Sequence, residues 1–226
     1  MSTRKREKFY EEIADDFERV MNPYDLRRRL EVMMNSLPRD LSAAVALDGG
    51  CGPGFFSEAL AGRGASVVSA DISPSLARIA SARASSAGVV CDVAALPFDD
   101  ESFDVVLSSE CIEHTADPRA SFLSLARVLR PGGTMILSVP NSRWKASVVV
   151  ASALRIRPYE GLENWVHPRQ LRRWALQGDL RIVDHFGVHP LPFQLPLAPR
   201  WLPGLERVAK PLGMWMINQV MVGRKA

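Results

Sequence analysis

The stretch Val45-Ala46-Leu47-Asp48-Gly49-Gly50-Cys51-Gly52-Pro53-Gly54 decides the fold. Three apolar residues run into an acid and then into a loop rich in glycine. Phe55-Phe56-Ser57-Glu58-Ala59-Leu60 follows with apolar residues at helical spacing. This order predicts a buried strand, a tight turn and the start of a helix. Glycine has no Cβ, so backbone can approach a ligand closely. Free N–H groups above a helix N-terminus attract polar or anionic groups. The glycines from Gly50 to Gly54 follow G-x-G-x-G. A dinucleotide fingerprint needs G-x-G-x-x-G, and a phosphate loop needs Gly-Lys-Ser/Thr; neither is present. A glycine-rich turn that holds no ligand is the competing reading of this stretch taken alone.

Outward from that turn, Ala65–Asp71 reads as a second strand ending in an acid. A carboxylate there can accept hydrogen bonds from both hydroxyls of a ribose; without a ligand it would cap the helix that begins at Ser73-Pro74. That helix is expected over Pro74–Ala87, stopped by Gly88. Val89–Val93 reads as a third strand carrying Asp92, and Ser102–Ser108 as a fourth. A helix over Pro118–Leu129 and a turn at Arg130-Pro131-Gly132-Gly133 lead to a fifth, Thr134–Val139. Strands alternating with helices predict a mostly parallel sheet with helices on both faces. Ligands in such sheets sit at the carboxyl ends of strands, where the strand order reverses. Ser109, Glu110, Glu113 and His114 follow strand four and belong at that point.

The flanks are less regular. Residues 4–20 carry Phe9, Ile13, Phe17 and Val20 three or four apart, an amphipathic helix. Asn22-Pro23 breaks it, and a second helix is expected over Tyr24–Leu37, ended by Pro38. After strand five, Arg143–Arg157 places a short apolar middle between Trp144 and basic residues. It suits an interfacial helix or a helix covering its own pocket. His167-Pro168 leads a helix over Arg169–Leu176, and Leu180–Asp184 reads as strand six. Residues 187–212 read as a loop or lid with one short helix. Met214–Val222 reads as the final strand, although Met214-Trp215-Met216 is equally compatible with a helix.

With 226 residues, 47% of them hydrophobic, the chain suits one α/β domain: a helical cap at 1–40, a core at 41–140, and a substrate-side lid with the last strands at 141–226. A net charge of +3 is too small to argue for nucleic acid. The basic N-terminus leads into no apolar run, so a signal peptide is not expected. Cys51, Cys91 and Cys111 lack C-x-x-C spacing, which argues against a disulfide framework or zinc ribbon and for a reducing cytosol. The expected location is cytoplasmic, with peripheral membrane contact through 143–163 as an addition.

Asp48, Gly50, Gly52 and Gly54 together resemble motif I of the class I S-adenosylmethionine-dependent methyltransferases, apolar-Asp-x-Gly-x-Gly-x-Gly. Gly49 stands where that family usually has a larger apolar residue. Asp92-Val93-Ala94-Ala95-Leu96-Pro97-Phe98, the acidic turn and Ser102–Val106 after it, and Leu129–Gly133 resemble one large branch of small-molecule methyltransferases, type 11. The resemblance implies a Rossmann-like, seven-stranded, mostly parallel sheet whose last strand is antiparallel near one edge. It implies S-adenosylmethionine held by Asp48, Gly50, Cys51, Gly52, Gly54, Asp71, Ile72, Asp92, Val93 and Ser109. Asp92 would accept from the adenine amino group, and Val93 would offer its N–H to the ring.

The implied activity is methyl transfer to a small-molecule or lipid-linked acceptor, most simply at a hydroxyl, with His114 as general base and His167 as second candidate. Glu110-x-x-Glu113-His114 followed by Asp117-Pro118 resembles the corresponding segment of ubiquinone-pathway O-methyltransferases, where it is associated with a metal. Glu110, Glu113 and His114 would then hold a divalent cation. The favoured reading is metal-free: Glu113 bonds backbone and His114 packs beside the cofactor. For His167 the competing reading is a loop residue before a proline-started helix. Competing functions are a non-catalytic subunit that binds a protein partner, and C- or N-methylation of a small metabolite. A nucleic-acid substrate is disfavoured, because no Asn/Asp-Pro-Pro-aromatic motif follows strand four.

Overall fold

The computed structural model describes residues 3–145, 163–190 and 210–226. Seven strands form one sheet: β1 Val45–Gly49, β2 Ser66–Asp71, β3 Ala87–Val90, β4 Phe103–Ser109, β5 Leu129–Pro140, β6 Leu180–Val188 and β7 Asn218–Lys225. Their order is β3-β2-β1-β4-β5-β7-β6. The first five are parallel, and β7 runs antiparallel to both β5 and β6. The expected Rossmann-like sheet with an antiparallel last strand is present, and β7 lies one strand in from the edge.

The central strands read as nearly unbroken apolar runs because both of their faces are covered. Successive side chains point to opposite faces. Ala46, Val105, Leu107 and Ile136 join one core with Met33, Phe56 and Leu60. Leu47, Val106, Met135 and Leu137 join the other with Phe122, Leu125, Leu171 and Trp174. The covering helices are α3 Pro23–Met34 and α4 Phe55–Ala61 on the first face, and α6 Pro118–Arg127 and α7 Pro168–Gln177 on the second. Among the described residues, the remaining α-helices are α1 Thr3–Ile13, the short α2 Phe17–Val20 and α5 Pro74–Ala84.

Several boundaries differ from those expected. The N-terminal helix is interrupted: a 3-10 turn at Ala14–Asp16 separates α1 from α2. The second helix ends at Met34 rather than Leu37. Helix α5 stops at Ser85, which takes the left-handed conformation (φ 50°), while Ser86 folds back to bond Ser81. Gly88 therefore belongs to β3, where a Cβ would meet the Ala77 carbonyl at 3.0 Å; the glycine lets the strand lie against α5. Strand five begins earlier, at Leu129, which pairs with Phe103. Strand six runs on to Val188. The last strand starts at Asn218, because Lys210–Trp215 forms a 3-10 helix, so the Met-Trp-Met segment precedes it. The expected interfacial helix over 143–157 and the lid over 187–212 lie mostly outside the described residues. Among the described residues, no helix is long and apolar enough to cross a membrane.

Candidate active site

Strands β1 and β4 are neighbours although two helices and two strands separate them in sequence, so the strand order reverses between them. A cavity of about 260 Å³ opens there, at the carboxyl ends of β1 to β4. Its floor is the glycine loop, and its walls are the residues that end β2, β3 and β4.

The glycine loop is fastened to β2. Gly50 and Cys51 both donate their N–H to the Ala70 carbonyl, at 2.8 and 3.0 Å. Gly52 donates to Asp71 Oδ2 at 2.9 Å, and Ser73 donates to Asp71 Oδ1 at 3.0 Å. Each carboxylate oxygen keeps a further lone pair for a ligand. Burial pushes the Asp71 carboxyl up against the pull of these N–H groups. Gly50, Gly52 and Gly54 all have positive φ, which only glycine adopts without strain. A Cβ at Gly50 would stand 2.1 Å from Cys111 Sγ, and one at Gly54 2.5 Å from Ala80 Cα. At Gly52 the nearest atom a Cβ would meet is Phe17 Cε1, at 3.7 Å. The backbone there is bare toward the cavity, a cradle that a side chain would fill.

Of the residues the sequence assigned to the cofactor, Gly50, Cys51, Gly52, Asp71, Ile72, Asp92, Val93 and Ser109 line the cavity. Asp48 and Gly54 do not. Asp48 is 1% exposed and lies beneath the loop, where Ser57 Oγ donates to Oδ2 at 2.7 Å. Its burial raises the carboxyl to about 7, with the Asp71 charge adding to the rise and Ser57 opposing it. Asp48 shapes the turn from below. Gly54 sits at the α4 N-cap and lets α5 approach. These residues, with the adenosyl-sized cleft above Gly52, fit S-adenosylmethionine.

His114 also lines the cavity, with its ring centroid 6.3 Å from that of Tyr10 and Nε2 3.7 Å from Glu113 Oε1. His167 does not line it. It caps α7, accepting from the Arg169 N–H at Nδ1 (3.1 Å), while Gln170 Oε1 accepts the His167 N–H at 2.8 Å. Burial, then Arg143 and Arg169, holds its pKa down. The second candidate base is thus a helix cap, because the proline after it starts the helix.

Among the described residues, no group of three or more acidic, histidine or cysteine side chains is arranged to hold an ion. Glu110 Oε2 accepts from Asn218 Nδ2 at 2.7 Å. Burial raises the Glu110 carboxyl to about 7 although Arg29 opposes it. Burial raises the Glu113 carboxyl well above its ordinary value, and the charge of Glu110 adds to the rise.

Among the wall residues that sequence reasoning did not assign to the site are Arg6, Tyr10, Phe17 and Arg29. Arg6, Tyr10, Ile13 and Phe17 recur every three or four residues, so they form a stripe beside the one that was read. Arg29 is 5% exposed. Its Nε and one terminal nitrogen donate to Asp25, and the other terminal nitrogen donates to Ser109 Oγ at 2.6 Å. Asp25 Oδ1 also meets His189 Nε2 at 2.9 Å. Burial alone would push the Asp25 carboxyl up, but Arg29 and His189 bring it down to about 2. No sequence pattern marks this cluster, because its members are up to 164 positions apart.

Residues 47–137 match the family described as a methyltransferase domain. A ubiquinone biosynthesis O-methyltransferase of Rhizobium etli is 36% identical over 175 residues, covering 73% of this chain and 69% of that protein. One from Coxiella burnetii is 34% identical over 159 residues, covering 66% and 68%. Among solved structures, a putative methyltransferase from Bacillus halodurans superposes with a TM-score of 0.65 at 18% identity, covering 87% of this chain and 98% of that one. A geranyl diphosphate C-methyltransferase from Streptomyces coelicolor, in complex with Mg2+ and S-adenosyl-L-homocysteine, gives 0.66 at 18% identity, covering 88% and 76%. The second pair shows the fold alone; the sequence relatives, together with the glycine loop and the acids ending β2 and β3, place this chain in the class I S-adenosylmethionine-dependent methyltransferases.

Proposed function

We propose that this enzyme methylates a hydroxyl of a small aromatic acceptor that carries a lipid chain. The likeness to enzymes named for ubiquinone biosynthesis carries this reading. The cavity supports it, since Phe17, Met21, Leu26, Phe55 and Phe56 give it an apolar wall. When bound, S-adenosylmethionine supplies an electrophilic methyl group on sulfur. Asp71 would accept from the ribose hydroxyls and Asp92 from the adenine amino group. The bare backbone at Gly52 would let the ligand approach, and the apolar wall would exclude water from the displacement. His114, which lines the cavity, takes the proton of the acceptor hydroxyl as the oxygen attacks the methyl carbon. No step requires a metal at Glu110 and Glu113.

The test is transfer of a tritiated methyl group to catechols with and without a polyprenyl chain. Turnover is expected with the prenylated acceptors. His114→Ala should lower kcat by about 10²–10⁴, the range for loss of a general base, with little change in S-adenosylhomocysteine affinity. Transfer to carbon or nitrogen acceptors alone would overturn the reading. Membrane contact through 143–163 is part of the same proposal. It predicts sedimentation with anionic liposomes that is lost when Arg143 and Lys145 are both changed to Glu; binding that survives the change counts against it.

A further inference from the structure

Helix α1 is strapped across both loops assigned to the adenosyl group. At one end the Arg6 guanidinium pairs with Asp92 Oδ2. One and a half turns on, Glu11 accepts from Ser73 Oγ at 2.6 Å, from Ser75 Oγ at 2.6 Å and from the Ser75 N–H at 3.1 Å. Glu18 then pairs with Arg83 of α5. An arginine on a terminal helix ordinarily extends into water; Arg6 is 3% exposed. Both partners line the cavity, so their contact is part of its wall.

Each oxygen of Asp92 already holds one donor. Its Oδ1 caps the turn after β3, accepting the Ala94 N–H at 3.1 Å. Its Oδ2 holds Arg6. That oxygen has a second lone pair, but an amino group brought to it from the cavity meets a guanidinium that already occupies the approach. We propose that Arg6 stands in for the adenine amino group in the cofactor-free enzyme. The cofactor must displace it from Asp92, and the rate of uptake follows the fraction of molecules whose Arg6 has let go. The proposal rests on Asp92 being the adenine acceptor. A binding-competent fraction below one weakens apparent affinity by that fraction, so removing the stand-in improves uptake rather than harming it.

The experiment measures association rates and affinities of two ligands by stopped flow and calorimetry: S-adenosylhomocysteine, and its analogue lacking the 6-amino group. In Arg6→Met, which keeps the aliphatic stem, S-adenosylhomocysteine should bind about three- to tenfold faster and correspondingly tighter, for a competent fraction of about 0.1–0.3. The analogue, which cannot take Asp92 from Arg6, should gain little. Arg6→Lys should fall between. Unchanged or slower association in Arg6→Met, or equal gains for both ligands, overturns the proposal. If the variant does not fold, the wild-type enzyme decides. The guanidinium carbon-13 signal of Arg6 should move with S-adenosylhomocysteine and stay with the analogue; equal movement with both overturns the exchange. A wild type that binds the analogue as tightly as S-adenosylhomocysteine removes Asp92 as adenine acceptor. Normal discrimination with an inert Arg6 removes the latch alone.

Discussion

The two ends of the cavity are built differently. At the cofactor end, Asp71 is held by N–H groups of Gly52 and Ser73, and Asp92 by the N–H of Ala94. These partners are backbone, mostly within a few residues, and one side chain from afar joins them, the Arg6 guanidinium on Asp92. At the other end, Asp25, Arg29, Ser109, Glu110, Asn218 and His189 hold one another side chain to side chain, from α3, the end of β4 and the last two strands. Backbone N–H groups come with any residue, so the first end tolerates change around its acids. The second end depends on each partner's identity, because a buried ion left alone is costly.

The largest effect should come from breaking that second end. Arg29→Ala leaves Asp25 and Glu110 without their buried cation, a loss of about 3–5 kcal/mol by analogy with broken buried pairs. Urea denaturation should show it. Arg29→Met together with Asp25→Leu, which removes both charges, should recover a large part. If the single change costs under about 1 kcal/mol, the cluster is wetter than its burial implies. At the cofactor end, Asp71→Ala should barely move the denaturation midpoint by comparison. It should instead weaken S-adenosylhomocysteine binding by about 100-fold, the worth of two hydrogen bonds to a charged acceptor at about 1.5 kcal/mol each. Unaltered affinity in calorimetry removes Asp71 from the ribose.

This contrast also explains what the sequence revealed. The glycine loop, Asp71 and Asp92 sit at strand ends, and a strand end is marked locally by an apolar run meeting an acid or a turn residue. Their placement could therefore be read one segment at a time. Arg29 lies on a helix whose buried face was assigned to Leu26, Leu30, Met33 and Met34; nothing local distinguishes it from Arg27 or Arg28, of which Arg28 pairs with Glu31 near the surface. Only the register that brings Ser109 beside α3 separates them. The same limit hid Arg6, whose partner is 86 positions away. Boundaries failed where tertiary contact overrode a local signal: Gly88 was read as a helix stop, yet its missing side chain serves the close approach of β3 to α5.

A smaller effect separates shaping from binding at the cofactor end. Asp48 holds its proton up to about 7 in the folded chain because it is buried, whereas the unfolded chain releases it near the ordinary carboxylate value of about 3.9. The folded state thus binds more protons between those values, so stability falls as pH rises through that window and levels off above it. Asp48→Asn keeps an acceptor for Ser57 and removes the share of the slope that Asp48 supplies, leaving that of Asp71, Glu110 and Glu113, which burial also raises. Thermal melts should show the variant gaining on wild type from about pH 4 to pH 7 and holding that gain at pH 8. Asp25 has the opposite sign: its depressed carboxyl stabilises the fold above the ordinary value, and that contribution fades as pH falls toward 2. A wild-type stability independent of pH between 4 and 7 would place water beside Asp48.

The smallest effect should be His167→Ala, and it sets the outer limit of the acceptor end. The ring accepts one N–H at the start of α7, and such a cap is worth about 0.5–2 kcal/mol. The capping contact from His167 N–H to Gln170 Oε1 uses backbone and survives. Helix α7 also stays anchored through Leu171, Trp174 and Ala175, all within the core. Denaturation should therefore report a loss of about 1 kcal/mol, with kcat and S-adenosylhomocysteine affinity unchanged. His167→Asn, which can cap equally well, should restore stability. A tenfold or greater fall in kcat in both variants would mean that the ring reaches the acceptor during turnover. Proton transfer would then belong to the α7 side of the cavity rather than to His114.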